Sequence, residues 1–239
     1  MAEDNLGELL KPTGYERAHK LFFLLAKAVP FPLNLAEIAQ TLVGDPSQKR
    51  LEAFFKLVAE QLQELAEKVD VLDFDNPAFQ STCIHATEIA LRTHLEEKHQ
   101  LLCNAILNSA VPSNLPEEAE RLIYMDLVEK LSPLHLKILK LFAESKMANI
   151  DIQIEDPTWV MVISSTSPLH EILDQELPET IGHDDLRLRC INDLYSNSLI
   201  AIKFPKRGLA TRIENSPKPT GIASGLLKFL ETPLNTIRK

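Results

Sequence analysis

HDDLRLRCINDLYSNSLIAIKFPKRGLATRIENSPKPTGIASGLLKFL, residues His183–Leu230, is the stretch whose reading decides the fold. From His183 to Asn197, Leu186, Ile191 and Leu194 recur at helical spacing with Cys190 beside them. The segment reads as a helix turning these residues, and Leu199 after it, toward a core. Leu199–Phe204 is a β-prone run, Pro205-Lys206-Arg207-Gly208 is a basic turn tip, and Leu209–Ile213 is a return strand. Thr220-Gly221 then opens a last helix in which Ile222, Leu226, Phe229 and Leu230 are apolar.

Two helix starts precede this stretch. Ser132-Pro133 caps LHLKILKLFAES, and Ser167-Pro168 caps a short helix that ends near Leu177, before Pro178 and Gly182. The shared Ser-Pro-Leu-His at 132–135 and 167–170 is one cap chemistry used twice, not a duplicated domain. Between the two helices, Ile150, Ile152 and Ile154 alternate with polar residues and Trp159–Ile163 is a second apolar run, so both predict strands. Helices near 133–145, 168–177 and 183–197, then strand, basic tip, strand and helix, resemble a winged-helix domain over 131–239. In DNA-binding members the third helix enters the major groove and the wing touches phosphates. That resemblance implies nucleic-acid contacts by Arg187, Arg189, Lys203, Lys206, Arg207 and Arg212, with Asn192 also on an exposed face. Asp184, Asp185 and Asp193 on the same helix would repel a phosphate backbone. Protein contact by this module is therefore the first expectation, and DNA binding through the basic wing the alternative.

Upstream, the chain reads as a helical bundle over 1–130. Tyr15–Val29 and Leu33–Val43 predict two helices, and Asp45 with Pro46 starts a third that runs to about residue 69. In that third helix Leu51, Phe55, Val58, Leu62, Leu65 and Val69 alternate steps of four and three, a seam that must pack on another helix. The partner helix can come from this chain or from a second copy, so a homodimer is one reading. Asn76-Pro77 predicts a single long helix over 78–109, on which Cys83 and Cys103 would stand roughly 30 Å apart. EEAERLIYMDLVEKL, with acids at its favourable N-terminal end, predicts the next.

Composition sets limits on function. The chain has 239 residues, 7 glycines and 15 prolines, which favours a mainly α protein with proline punctuation. Its net charge of −9 is uneven: residues 183–239 hold ten Lys/Arg against five Asp/Glu, so the basic end alone could meet nucleic acid. Three cysteines are too few for a disulfide framework. The N-terminus is acidic, and the longest apolar run, Leu21–Ala28, contains Lys27. It falls short of the roughly 20 residues a bilayer span needs, so the expectation is a cytoplasmic protein that does not enter the membrane. His85 and Glu88, and Glu96 and His99, sit at metal-ligand spacing, but no second E-x-x-H accompanies them and no metal is expected. No phosphate-cradling glycine loop and no G-x-S-x-G elbow occurs, which leaves no catalytic residue or cofactor to name.

One further resemblance lies in EEKHQLLCNAILNSAVPSNLPEEAERLIYMDLVEKLSPLHLKILKLF, residues 96–142. Asn104-Ala105, Asn108 and Leu131-Ser132-Pro133-Leu134 stand where bacterial Abi-alpha-type abortive-infection proteins have an N-A-rich turn and an L-S-P-L helix start. The resemblance implies a bacterial protein associated with phage defence and brings no catalytic residue; with the winged-helix-like module, the chain reads as a non-enzymatic interaction or regulatory protein.

Overall fold

A computed structural model describes residues 46–69, 71–144, 153–155, 160–162, 168–201 and 218–235. The two helices expected before residue 45 lie outside them. Helix occupies 79% of the described residues, in agreement with a mainly α chain. The fold divides into two compact units, 1–130 with 229–239, and 131–228. The tail 229–239 thus groups with the helical bundle rather than with the module that precedes it in sequence.

The first unit is built on α1 (Pro46–Lys68), α2 (Pro77–Arg92), α3 (Glu96–Ala110) and α4 (Glu118–Lys130). The expected single helix over 78–109 is two helices, α2 and α3, separated at Thr93–Leu95. Thr93 and Leu95 are extended, and Thr93 Oγ1 accepts the Leu95 N–H at 3.3 Å. Thr93 is a poor helix former whose hydroxyl offers the backbone a competing partner. Glu96 and Glu97 then suit the start of a new helix. The break also has a packing cause. Every residue from Leu102 to Ala110 is buried, so α3 is central and needs cover that a continuous helix could not fold back to give.

The α1 seam is covered inside this unit. Leu51, Phe55, Val58, Leu62 and Leu65 are buried, Val69 is half-buried, and α1 packs on α2 and α3. A seam left open for a second copy, as the homodimer reading requires, is not what the structure holds. The cysteine geometry changes as well: α2 packs on α3, and a charge on Cys103 would act directly on Cys83. Both thiols are free and buried. Burial pushes the Cys103 thiol up to about 12, and burial together with Cys103 holds Cys83 protonated even more firmly.

Amide side chains of α3 complete this unit. Asn104 Nδ2 donates to Leu230 O at 2.8 Å, and Asn108 Nδ2 donates to Phe229 O at 2.9 Å and Glu231 O at 2.8 Å. These are end-of-helix carbonyls that otherwise lack a donor. Gln61 and Gln100 exchange hydrogen bonds at 3.1 Å, and Gln100 passes one on to Asn104. Phe229 meets Tyr124 with ring centroids 5.7 Å apart. Lys98 caps the end of α4 by donating to Glu129 O at 2.8 Å.

The second unit holds α5 (Pro133–Ala143), β1 (Gln153–Glu155), β2 (Val160–Val162), α6 (Pro168–Glu176), α7 (Asp184–Ser196), β3 (Ile200–Ala201), β4 (Lys218–Pro219) and most of α8 (Gly221–Leu230). β1 and β2 pair antiparallel with Ile154 opposite Met161, and β3 and β4 pair antiparallel with Ile200 opposite Pro219. The return strand expected at Leu209–Ile213 lies outside the described residues. Within them, the strand that pairs with β3 is Lys218–Pro219. The sequence pattern missed this because Lys218-Pro219 has no β-prone side chain; neighbouring hydrogen bonds hold it in place. Thr220 N donates to Leu199 O at 3.0 Å, and Thr220 Oγ1 donates to Ser198 O at 2.8 Å while accepting the Ala223 N–H that opens α8. Ser198, at φ 58°, ends α7 in the left-handed region, where the Leu199 N–H reaches Leu194 O at 2.9 Å.

Candidate interaction site on the helix Asp184–Ser196

α7 packs on α5, β2, β3 and the short turn Pro178–Thr180 through Arg187, Cys190, Ile191 and Leu194. Leu186, expected in the core, is 48% exposed. The displaced position belongs to Arg187, which is only 1% exposed. Arg187 was expected to face nucleic acid; instead its Nε donates to Thr180 Oγ1 at 2.6 Å and its Nη1 lies 2.7 Å from Asp174 Oδ1. The same Nη1 lies 3.5 Å from Asp184 Oδ1. Its long stem fills apolar space while a local carboxylate accepts its charge. Arg189 is on the surface but bonds Asp193 Oδ2 through Nε at 2.9 Å. Lys203, Lys206, Arg207 and Arg212 lie outside the described residues.

Two of the three aspartates that argue against DNA, Asp184 and Asp193, have side-chain partners within this unit, and Asp174 of α6 joins Asp184 in one cluster. His170, on α6, sits between two of the cluster's carboxylates: Nδ1 is 3.2 Å from Asp174 Oδ2 and Nε2 is 3.1 Å from Asp184 Oδ1. Imidazolium can donate at both ends, whereas a neutral ring can donate at one. His135, on α5, reaches the other end of α7, with Nε2 3.4 Å from Asp193 Oδ2. The two Ser-Pro-Leu-His starts therefore share more than cap chemistry, because each sends its histidine to an aspartate of α7. Sequence spacing could not show this; the link is made only when α5 and α6 pack beside α7.

Ser132, His135 and Asp193 also place hydroxyl, imidazole and carboxylate in series, with Ser132 Oγ 2.7 Å from His135 Nδ1. That order suits proton relay to a nucleophile. Here, however, the two residues close the capping box of α5, and Nδ1 also accepts the Ser132 backbone N–H at 3.2 Å. The imidazole is engaged with the helix start it caps. The histidines at metal-ligand spacing are likewise in use. His99 is buried, with Nε2 3.2 Å from Ala90 O and its ring 5.4 Å from that of Phe54, and His85 lies 3.7 Å from Glu129. Among the described residues no cluster of three metal-ligating side chains forms.

α7 and the turn before it expose both apolar and acidic side chains. Ile181 is 57% exposed and Leu186 48%, with Tyr195 exposed further along. Glu171, Glu176, Glu179, Asp184 and Asp185 are all exposed on α6, α7 and the turn between them. Cys190 beside this face is pushed up to about 11 by burial and by Asp193. No family model, curated protein or solved structure matches the chain. No helix among the described residues is long and apolar enough to cross a membrane.

Proposed function

We propose that the chain is a non-enzymatic interaction or regulatory protein whose second unit is a winged-helix-like module that binds protein. The order α5, α6, α7, β3, β4, α8 supports the module, as does the packing of β3 on α7 and of β4 on α5. One observation carries the choice of protein over DNA. Both arginines of α7 are held by aspartates, while Ile181 and Leu186 face solvent beside Asp184 and Asp185. Exposed apolar side chains among carboxylates suit a partner surface that is apolar with a basic border. Association with bacterial phage defence rests on the resemblance around Asn104, Asn108 and Leu131–Leu134. In this structure the two asparagines bond the carbonyls of residues 229–231.

The test compares the full chain with Leu186→Asp. Wild type should retain a host protein from lysate that the variant loses, and the purified partner should rebind wild type with affinity at least tenfold higher. DNA binding through the wing is the competing reading. A duplex shifted at low salt, lost steeply as salt rises and abolished by Lys206→Glu with Arg207→Glu, would establish it instead.

A further inference from the structure

α2 and α3 form the most extensive helix pair of the first unit, and only Thr93, His94 and Leu95 join them. Nothing in those three residues forbids a helix. None is glycine or proline, Leu91 and Leu95 continue the helical spacing toward Leu102, and no residue of the link has a positive φ. Thr93 is at φ −111° and Leu95 at φ −81°, so the main change a helix requires is in ψ, from 146° and 113°. His94 and Leu95 are exposed, and the Leu95 N–H reaches Thr93 Oγ1 by a long bond of 3.3 Å. Straightening would also pair the last carbonyls of α2 with the first N–H groups of α3, which lack helical partners at the break.

We infer that this hairpin is a point of exchange between two copies of the chain. The link Thr93–Leu95 straightens, Pro77–Ala110 becomes one helix roughly 50 Å long, and α1 with α2 of each copy covers α3 of the other. Residues Leu102 to Ala110 of α3 are all buried, and a straightened chain can take that cover only from a second copy. The contacts that close the hairpin are remade between copies: Thr82 Oγ1 with Ser109 Oγ at 3.2 Å, and Arg92 Nη1 with Glu129 Oε1 at 2.7 Å. The buried α1 seam stays covered in both forms. Because exchange conserves these interfaces, the link itself and the chain concentration decide the balance.

The experiment refolds the full chain from urea at high concentration and measures its mass by light scattering. Wild type should yield a dimer that returns to monomer slowly on dilution. Thr93→Ala with His94→Ala favours helix and removes the 3.3 Å bond, and should lower the dimer dissociation constant about tenfold. Leu95→Pro suits the φ of −81° in the hairpin but not a helix interior, so it should stay monomeric. Spin labels on Ser81→Cys with Ser113→Cys, both exposed, report the link directly when labelled chains are diluted into unlabelled ones. The two positions lie at the same end of the hairpin, and their separation should lengthen to roughly 45 Å in the dimer. That measurement leaves the link unaltered and stands even if the link variants do not fold. Wild type that refolds only to monomer, a dimer that survives Leu95→Pro, or a short label separation within a dimer would each overturn the exchange.

Discussion

Arg121 and Arg187 are both buried arginines, one in each unit, and the chain treats them in opposite ways. Arg187 has Thr180, Asp174 and Asp184 around it, with His170 bridging the two acids. Among the described residues Arg121 has the hydroxyls of Thr82 and Ser109 nearby and no ion pair with an acid. Burial alone therefore says little about what a charged side chain contributes; the neighbours decide. In the second unit the charge is part of the fold's own wiring, joining α6, the Pro178–Thr180 turn and α7. In the first unit polar order among the described residues is carried by neutral amides, and the buried Arg121 reaches only the Thr82 hydroxyl.

The largest effect expected from this contrast is at Arg187. Arg187→Met removes the buried cation and leaves Asp174 and Asp184 with His170 alone between them, so urea denaturation should show a loss of about 3 kcal/mol. A loss below about 1 kcal/mol would mean that the cluster is solvated and the contrast is false. Asn108→Ala tests the amide side of the comparison. It leaves the Phe229 and Glu231 carbonyls without their donor and should cost about 2–3 kcal/mol by the same measurement. Arg121→Met should behave unlike either: it should be neutral or stabilising by up to about 2 kcal/mol, because a charge with no carboxylate partner is removed.

The thiols sharpen the comparison through pH. Cys103 in the first unit is raised to about 12 and Cys190 in the second to about 11. A thiol whose folded value lies above its unfolded value stabilises the fold fully below the unfolded value, near 8.5. That contribution is lost as pH rises through the folded value. Stability should therefore fall from about pH 8.5 toward 11 and above, and Cys103→Ala with Cys190→Ala should flatten the decline. The smallest stability effect belongs to the surface of α7. Leu186→Asp should change stability by no more than about 0.5 kcal/mol while removing partner binding, which separates contact from folding.

How much of this was legible in the sequence varies by feature, for physical reasons. The α1 seam, the Pro46, Pro77 and Pro133 starts and the Thr220-Gly221 start were legible because periodicity and capping are local. The break at Thr93–Leu95 was not, because apolar residues continue through it and only the need to cover α3 from several sides favours the reversal. Leu186 and Arg187 exchanged their expected roles. Hydropathy places leucine inward, but a turn carrying Thr180 and a helix carrying Asp174 made the neighbouring position hospitable to arginine. The Lys218-Pro219 strand was not legible either, because it pairs through backbone and through Thr220, with no side-chain pattern to signal it.

The sequence by itself determined a mainly helical chain, its main helix starts, the buried seam and the basic bias of its C-terminal end. These follow from spacing along one chain and from the charge count. Only the tertiary structure decided which charges are spent. Arg187, His170 and His135 are separated in sequence from Asp174, Asp184 and Asp193 by anything from 3 to 58 residues. Whether such groups neutralise one another or face a partner depends on distances of a few ångströms, which packing sets and composition does not.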